Sequence, residues 1–473
     1  MDKKDVIVIG GGPGGYPAAI RAAQNGKTVL LVDKGTLGGE CLNWGCIPSK
    51  ALISASDYYN KLSTGKLEEL GISVDNVRID IKKMQAWKES VQKKLISGIA
   101  QLLKGNSVEY IEGTASFLDK NKIKIIKSDG EEIEAEADNF VIAIGTKFIS
   151  LGAFPIDNKK ILSAKGALAL DHVPESLVVI GGGVIGMELG TVWAKLGSKV
   201  SIVEMMPEII PTVDPGLVRI VKMKLKKMGV NIYTQAKASK VEHLDDNTME
   251  LEVETKKGTE KIKCNKILSS IGKRADPSEL NLEAAGVKTD DRGFILVDKK
   301  CTTNIDNIYA IGDCADPGKP LLAHRATKQG LIAADAIAGC HPCEQDYKTI
   351  PSAIFTDPEI GTAGMSEKEA KEAGYSVIIG RIGFGANGRA LTHLAGEGYI
   401  KIIADEKTKA VLGVEIVGPS ASDIISEAAL AIEMGATVED IAETIHPHPT
   451  IGEMTMEAAE AALGKAIHVL QRK

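Results

Sequence analysis

The chain has 473 residues, 44% of them hydrophobic and 25% charged, with a formal net charge of −6; this is enough for about three domains with cores and excludes a disordered or fibrous chain. Its 57 Lys+Arg and 63 Asp+Glu form no long basic run, which argues against nucleic acid as a partner, and no apolar stretch approaches the roughly 20 residues that span a bilayer. Seven cysteines are too few, and odd in number, for a secreted disulfide framework. The opening MDKKDVIVIGGG runs straight into a strand pattern, so the expectation is a cytoplasmic chain without a signal or transit peptide.

Residues 5–10, DVIVIG, are a continuous apolar run ending in Gly, the pattern of a buried parallel strand. Gly10, Gly12 and Gly15 follow in GxGxxG spacing, then a helical segment to Gly26 and a second strand, KTVLLVD, ending in Asp33. Glycines allow a tight turn and close approach of a pyrophosphate to the helix N-terminus, while the acid takes a ribose hydroxyl. Pro17 lies just inside the helix, where it costs about 3 kcal/mol unless it falls in the first turn. A start near Gly14 predicts that it is accommodated.

Eight residues after Asp33 comes Cys41, then Cys46 and, four residues further, Lys50. In a straight helix a five-residue spacing exceeds the roughly 4.4–6.8 Å Cα separation of a disulfide, but Gly45 between the two cysteines permits a distorted turn. A strained local disulfide is a reactive one, and Lys50 on the same helical face favours a thiolate. Two reduced, buried cysteines are the bland alternative. Zinc is disfavoured, since a closed site wants four ligands and no second pair lies nearby in sequence.

The whole nucleotide unit recurs. LVVIGGGVIGMELG places Gly181, Gly183 and Gly186 in the same spacing, and SKVSIVE ends in Glu204; Gly10 to Gly181 and Asp33 to Glu204 are both 171 residues. Two dinucleotide sites are expected. A carboxylate at Glu204 suits a free ribose 2′-hydroxyl, and Met205 and Met206 supply no arginine for a 2′-phosphate, so NAD is favoured over NADP.

Further on, a short strand, IYAIG, precedes Asp313, placing a carboxylate at the carboxyl edge of a parallel sheet, where ligands of such sheets bind. Cys340-His341-Pro342-Cys343 is a CxxC with no adjoining nucleotide motif or second ligand pair, and reads as an accessory or incidental pair. Near the end, Pro447 and Pro449 hold His448 on a stiff loop before a helix. Thr450 and Glu453 have the spacing of a capping box, but the same Glu could orient a histidine base.

GGECLNWGCIPSK, residues 38–50, resembles the GGxCxNxGCxPSK redox signature of the flavin disulfide reductases, and the likeness covers essentially the whole chain. It implies an α/β fold with two Rossmann-like dinucleotide-binding domains, for FAD and NAD, plus a C-terminal α+β dimerisation domain. The expected order is FAD-binding 1–147, NAD-binding 148–270, a return to the FAD domain at 271–348, and the dimer interface at 349–473. By the resemblance Cys46 is the charge-transfer thiol against the flavin, Cys41 the outer interchange thiol, and Lys50 tunes both flavin and thiolate. FAD falls to Gly10, Gly12, Gly15, Asp33, Lys50, Gly145 and Asp313; the usual Ala-Thr-Gly of the crossover reads Ala143-Ile144-Gly145 here. NAD falls to Gly181, Gly183, Gly186, Glu204 and Gly272. His448, oriented by Glu453, becomes the acid/base, supplied from the other subunit of an obligate homodimer, with His446 a neighbour.

Within the family FGANGRA, residues 384–390, resembles an FxANSRA segment of an NAD-linked branch that oxidises lipoyl dithiols, with Gly388 where Ser is usual. Reductases of glutathione or trypanothione would want NADP-binding arginines, and those with extra C-terminal thiols would want cysteines beyond Cys343. The implied reaction oxidises a protein-bound dihydrolipoyl group through a Cys41–Cys46 disulfide and FAD, reducing NAD+. Its partners would be the lipoyl domains of a 2-oxoacid dehydrogenase or glycine cleavage complex. A related reductase of another disulfide would keep every motif except FGANGRA.

Overall fold

The structure is a computed structural model describing residues 2–316, 318, 320–340 and 344–470. His341, Pro342 and Cys343 of the CxxC pair lie outside the described residues.

The chain opens with β1 (Lys4–Ile9), α1 (Gly15–Gln24), β2 (Val29–Asp33), α2 (Gly39–Trp44), α3 (Cys46–Ser63), α4 (Ile81–Gly105), β3 (Glu109–Asp119), β4 (Lys122–Lys127) and β5 (Glu132–Ile142). Strands β3, β2, β1, β5 and the distant Ile308–Ala310 lie parallel in that order. The first half of β3 pairs with β2 and its second half with β4, while β5 pairs first with β4 and then with β1, so an antiparallel three-stranded excursion grows from the parallel sheet. Phe117 and Phe140 meet edge to face inside it at 5.3 Å. Val6, Ile7 and Val8 are all fully buried, as an apolar run covered on both faces requires; each such side chain contributes roughly 1.5–3 kcal/mol.

A second five-stranded parallel sheet runs Asn231–Thr234, Lys199–Glu204, Ser176–Ile180, Lys266–Ser269, Ile161–Leu162 and carries its own antiparallel excursion, Lys237–His243, Met249–Thr255 and Gly258–Cys264. The short strands Lys147–Phe148 and Lys273–Arg274 pair with each other between the two units. A third, antiparallel sheet comprises Ser352–Ile354, Glu359–Gly364, Val411–Gly418, Tyr399–Asp405 and Val377–Gly383, packed by helices Ala421–Met434 and Glu453–Ala462. The expected fold class, two dinucleotide-binding α/β units and a C-terminal α+β unit, is the one observed. On the third sheet Lys401 pairs across strands with Glu415 at 2.5 Å and reaches Asp214, the N-cap of the second unit's helix Pro215–Lys227, at 3.1 Å.

Pro17 sits in the first turn of an unbroken helix. The carbonyl it leaves without a helical donor, that of Pro13, accepts instead from Thr327 Oγ1 at 2.8 Å. Thr327 lies on helix Ala323–Ala338, which packs along α1.

Candidate active site

The two glycine-rich turns are built alike. Gly10 and Gly181 adopt φ of +108° and +97°, open to glycine, and a Cβ on either would run into the backbone carbonyl of Ala143 or Ser270. A Cβ on Gly15 or Gly186 would strike the carbonyl oxygen of Gly10 or Gly181, so these two are required by helix–strand contact. The middle glycines differ. A Cβ at Gly183 would meet nothing within 4 Å, and at Gly12 only Gly39 Cα at 3.8 Å. Protein packing leaves that space open, and it is the side from which a pyrophosphate approaches.

The acids repeat too. Asp33 accepts from Gly11 N and from Gly35 N at 2.7 Å; Glu204 accepts from Gly182 N at 2.6 Å and Met206 N at 2.7 Å. Each carboxylate thus ends its strand bonded to the adjoining turn. Gly145 (φ +69°) and Gly272 (φ +118°) occupy matching places, two residues past the carbonyls that face Gly10 and Gly181. Asp313 lies on a one-turn helix directly after Ile308–Ala310; burial pushes its carboxyl pKa up, against the pull of Lys273 and Arg325. The open turn, Asp33 and this desolvated carboxyl fit the pyrophosphate, ribose and polyol of a flavin dinucleotide.

The cysteines flank a helix break. Cys41 lies within α2, Cys46 begins α3, and the break between the two helices falls at Gly45, whose Cβ would lie 2.9 Å from Glu40 O and 3.0 Å from Cys41 Cα. Both cysteines are free, and a hydrogen bond joins their side chains. That bond drives their acidities apart. The Cys41 thiol donates and is pushed far up, while Cys46, accepting, falls to about 7 despite desolvation; Lys50 and Lys273 assist it and Glu188 opposes. Cys46 is solvent-exposed, and the neighbouring groups still cost its thiolate some solvation.

Lys50 bonds Glu188 Oε2 at 2.8 Å and lies 4.3 Å over the Phe355 ring; Glu188 Oε1 accepts from Phe355 N at 3.0 Å. Lys273 pairs with Glu40. Glu188 and Lys273 escaped the sequence reading. A signal existed for the first, a lone carboxylate in the apolar helix VIGMELGTVWAK, whose side chain is only 6% exposed.

On the C-terminal unit His448 Nδ1 meets Glu453 Oε1 at 2.8 Å, and the other Glu453 oxygen accepts from Thr450 N at 2.7 Å. Burial works against the Glu453 carboxylate, but the Thr450 N–H and the His448 ring hold its pKa below the ordinary value. No capping box forms: Thr450 Oγ1 donates to Pro447 O at 2.7 Å, and the helix N-cap is Gly452. Glu453 therefore orients the histidine, whose side chain is 80% exposed. His446 instead bonds Glu427 at 2.7 Å and Thr444 O at 2.9 Å. Among the described residues no group of three or more His, Cys, Asp or Glu is placed to hold a metal ion, and no helix is long and apolar enough to cross a membrane.

Two dinucleotide cradles, a polarised thiol pair and a carboxylate-bound histidine define a class. Residues 4–330 match the pyridine nucleotide-disulphide oxidoreductase family model and residues 350–459 its dimerisation domain, and the chain belongs to this family, whose members are FAD-dependent. It is 47% identical over 468 residues to a dihydrolipoyl dehydrogenase of Geobacillus stearothermophilus, covering 99% of this chain and 98% of that one. It is 45% identical over 471 residues to a dihydrolipoyl dehydrogenase of Haloferax volcanii, with 99% and 98% covered. Among solved structures LpdA from Mycobacterium tuberculosis superposes with a TM-score of 0.90 at 26% identity, over 97% of this chain and 99% of that one.

Proposed function

We propose that this chain is a cytoplasmic, homodimeric flavoenzyme that oxidises a protein-bound dihydrolipoyl group to its disulfide with reduction of NAD+. The observation that carries the reading is the polarised pair: a donor thiol at Cys41 against a low-pKa Cys46. A disulfide between them has a good leaving sulfur at Cys46 and a natural point of attack at Cys41.

The chemistry of each residue follows. His448 carries its Nδ1 proton toward Glu453, which leaves Nε2 as the base and stabilises the imidazolium that forms. His448 takes a proton from one substrate thiol; that sulfur attacks Cys41 Sγ, the Cys41–Cys46 bond breaks, and Cys46 departs as a thiolate. The second substrate thiol then releases its proton to solvent and attacks the substrate sulfur of the mixed disulfide, and Cys41 leaves as a thiol on receiving the proton from His448. The substrate loses two electrons and the cysteine pair gains them. FAD, when bound, supplies the acceptor that carries this pair of electrons on toward NAD+. Lys50, Asp33, Asp313, Gly12 and Gly145 would hold the flavin nucleotide, and Gly183, Glu204 and Gly272 the NAD. A base from the partner subunit agrees with a dimerisation domain spanning 350–459, which contains His448, and with that ring's exposure. Lipoyl domains of a 2-oxoacid dehydrogenase or glycine cleavage complex are the proposed partners.

Anaerobic incubation with dihydrolipoamide and NAD+ tests the reading, with NADP+ and glutathione disulfide plus NADPH alongside. Rapid NADH formation with NAD+ alone is expected, as is its abolition in Cys41→Ser with the flavin still bound. A flavin-loaded protein that turns over glutathione disulfide but not dihydrolipoamide would mark a reductase of another disulfide.

A further inference from the structure

We infer that Asn387 is a positioning residue for the thiol-oxidising base, acting through Thr450; this rests on His448 being that base. Asn387 belongs to FGANGRA, a segment whose chemistry the site above does not use. The residue is 7% exposed and its side chain bridges two elements. Oδ1 accepts from Ala390 N at 2.8 Å, capping helix Gly388–Thr392, and Nδ2 donates to Thr450 O at 3.0 Å. A backbone donor on one side and a backbone acceptor on the other fix the amide's orientation.

Thr450 has every polar group engaged. Its carbonyl is held by Asn387, its hydroxyl by Pro447 O, and its N–H by the Glu453 carboxylate. The last contact matters most, because the other oxygen of that carboxylate holds His448 Nδ1. A relay runs from Asn387 through the backbone of Thr450 and Glu453 to His448, and only its first member lies outside the loop and helix that carry the base. If the Thr450 backbone shifts once its carbonyl is released, Glu453 loses the N–H that fixes Oε2, and its grip on the imidazole loosens. A base misplaced by 1 Å costs up to about a hundredfold in rate.

Capping and anchoring are separable. Asn387→Asp keeps an N-cap acceptor for Ala390 N but sets a carboxylate oxygen against Thr450 O, and Asn387→Ser also caps but is too short to reach Thr450. Ser serves if the buried carboxylate prevents folding. With the holoenzyme, kcat for dihydrolipoamide oxidation is expected to fall about tenfold to a hundredfold while NADH-to-ferricyanide transfer stays within about twofold. KM for dihydrolipoamide should stay within about twofold, because only the placement of the base and not the substrate-binding surface is disturbed. Combined with His448→Gln, the Asn387 change should add little. Unchanged lipoamide turnover in both variants overturns the inference, as does an equal loss of dye reduction or full additivity with His448→Gln. If His448→Gln alone leaves thiol oxidation intact, the base assignment itself falls, an outcome distinct from a normal Asn387 variant beside an impaired His448→Gln.

Discussion

Lys50 Nζ stands 2.8 Å from Glu188 Oε2, and the pair ties the helix that begins at Cys46 to helix Val184–Lys195, which follows the glycine-rich turn of the second dinucleotide unit. The two charges act oppositely on the sulfur between the domains: Lys50 lowers the Cys46 pKa and Glu188 raises it.

The sign can be read directly. In a Cys41→Ser background, which leaves Cys46 as the one titrating thiol of the pair, Lys50→Met should raise the midpoint for thiolate formation. Glu188→Gln should lower it. The pH dependence of thiolate ultraviolet absorbance, or of alkylation rate, reports both, and shifts of the same sign would contradict the arrangement.

The glycines of the second turn divide by what an added methyl meets. Gly183→Ala should fold with an unchanged Tm, since nothing lies within 4 Å, yet raise the KM for NAD+ by tenfold or more, about 1.4 kcal/mol of lost binding. Gly186→Ala, which drives a Cβ into the Gly181 carbonyl, should lower Tm by several degrees, from about 1–3 kcal/mol of strain. Thermal melts and NAD+ titrations separate the two; equal behaviour would mean that the middle glycine serves packing.

Glu204 anchors its turn and is the carboxylate proposed above to hold the NAD ribose. Glu204→Ala should raise the ratio of NADP+ to NAD+ efficiency by about tenfold and also lower NAD+ efficiency itself, because Gly182 N and Met206 N lose their acceptor. Steady-state kcat/KM with both nucleotides is the check.

Acid should loosen the connector between the dinucleotide units. The Lys147 ammonium, at 2.8 Å, and Ser278 hold the Asp276 carboxyl at about 2 against an ordinary 3.8. A carboxylate depressed in the fold contributes stability that is complete above pH 3.8 and is lost as pH falls through about 2. After discounting for solvent screening this is about 1 kcal/mol. Asp276→Asn should therefore lower Tm near neutrality, and its deficit should close on acidification; a deficit constant with pH would exclude the linkage.

Local signals carried most of the nucleotide cradles. The 171-residue register survives as matched backbone angles at Gly10 and Gly181 and matched bonds at Asp33 and Glu204, because a turn, its helix and the next strand are contiguous in sequence. Gly45 likewise marked the helix break that brings Cys41 and Cys46 together. What escaped is what arrives from far along the chain: Glu188 meets Lys50 from 138 residues away, and Asn387 meets Thr450 from 63. Periodicity and spacing describe a segment's own faces and cannot say which distant segment will lie against them. The Thr450–Glu453 spacing allowed either a cap or a histidine partner, and Gly452 taking the N-cap settled that locally ambiguous pattern.

The bond from Thr327 to the carbonyl that Pro17 leaves free joins residues 314 apart, and β5 likewise waits for Ile308–Ala310. The second sheet has all five of its strands between Ile161 and Ser269. On a ribosome, therefore, the inner unit can close while the outer one is still missing its last strand and covering helix. The outer unit begins first and finishes after its guest, and a chain stopped near residue 300 would leave a complete inner unit attached to an open outer sheet.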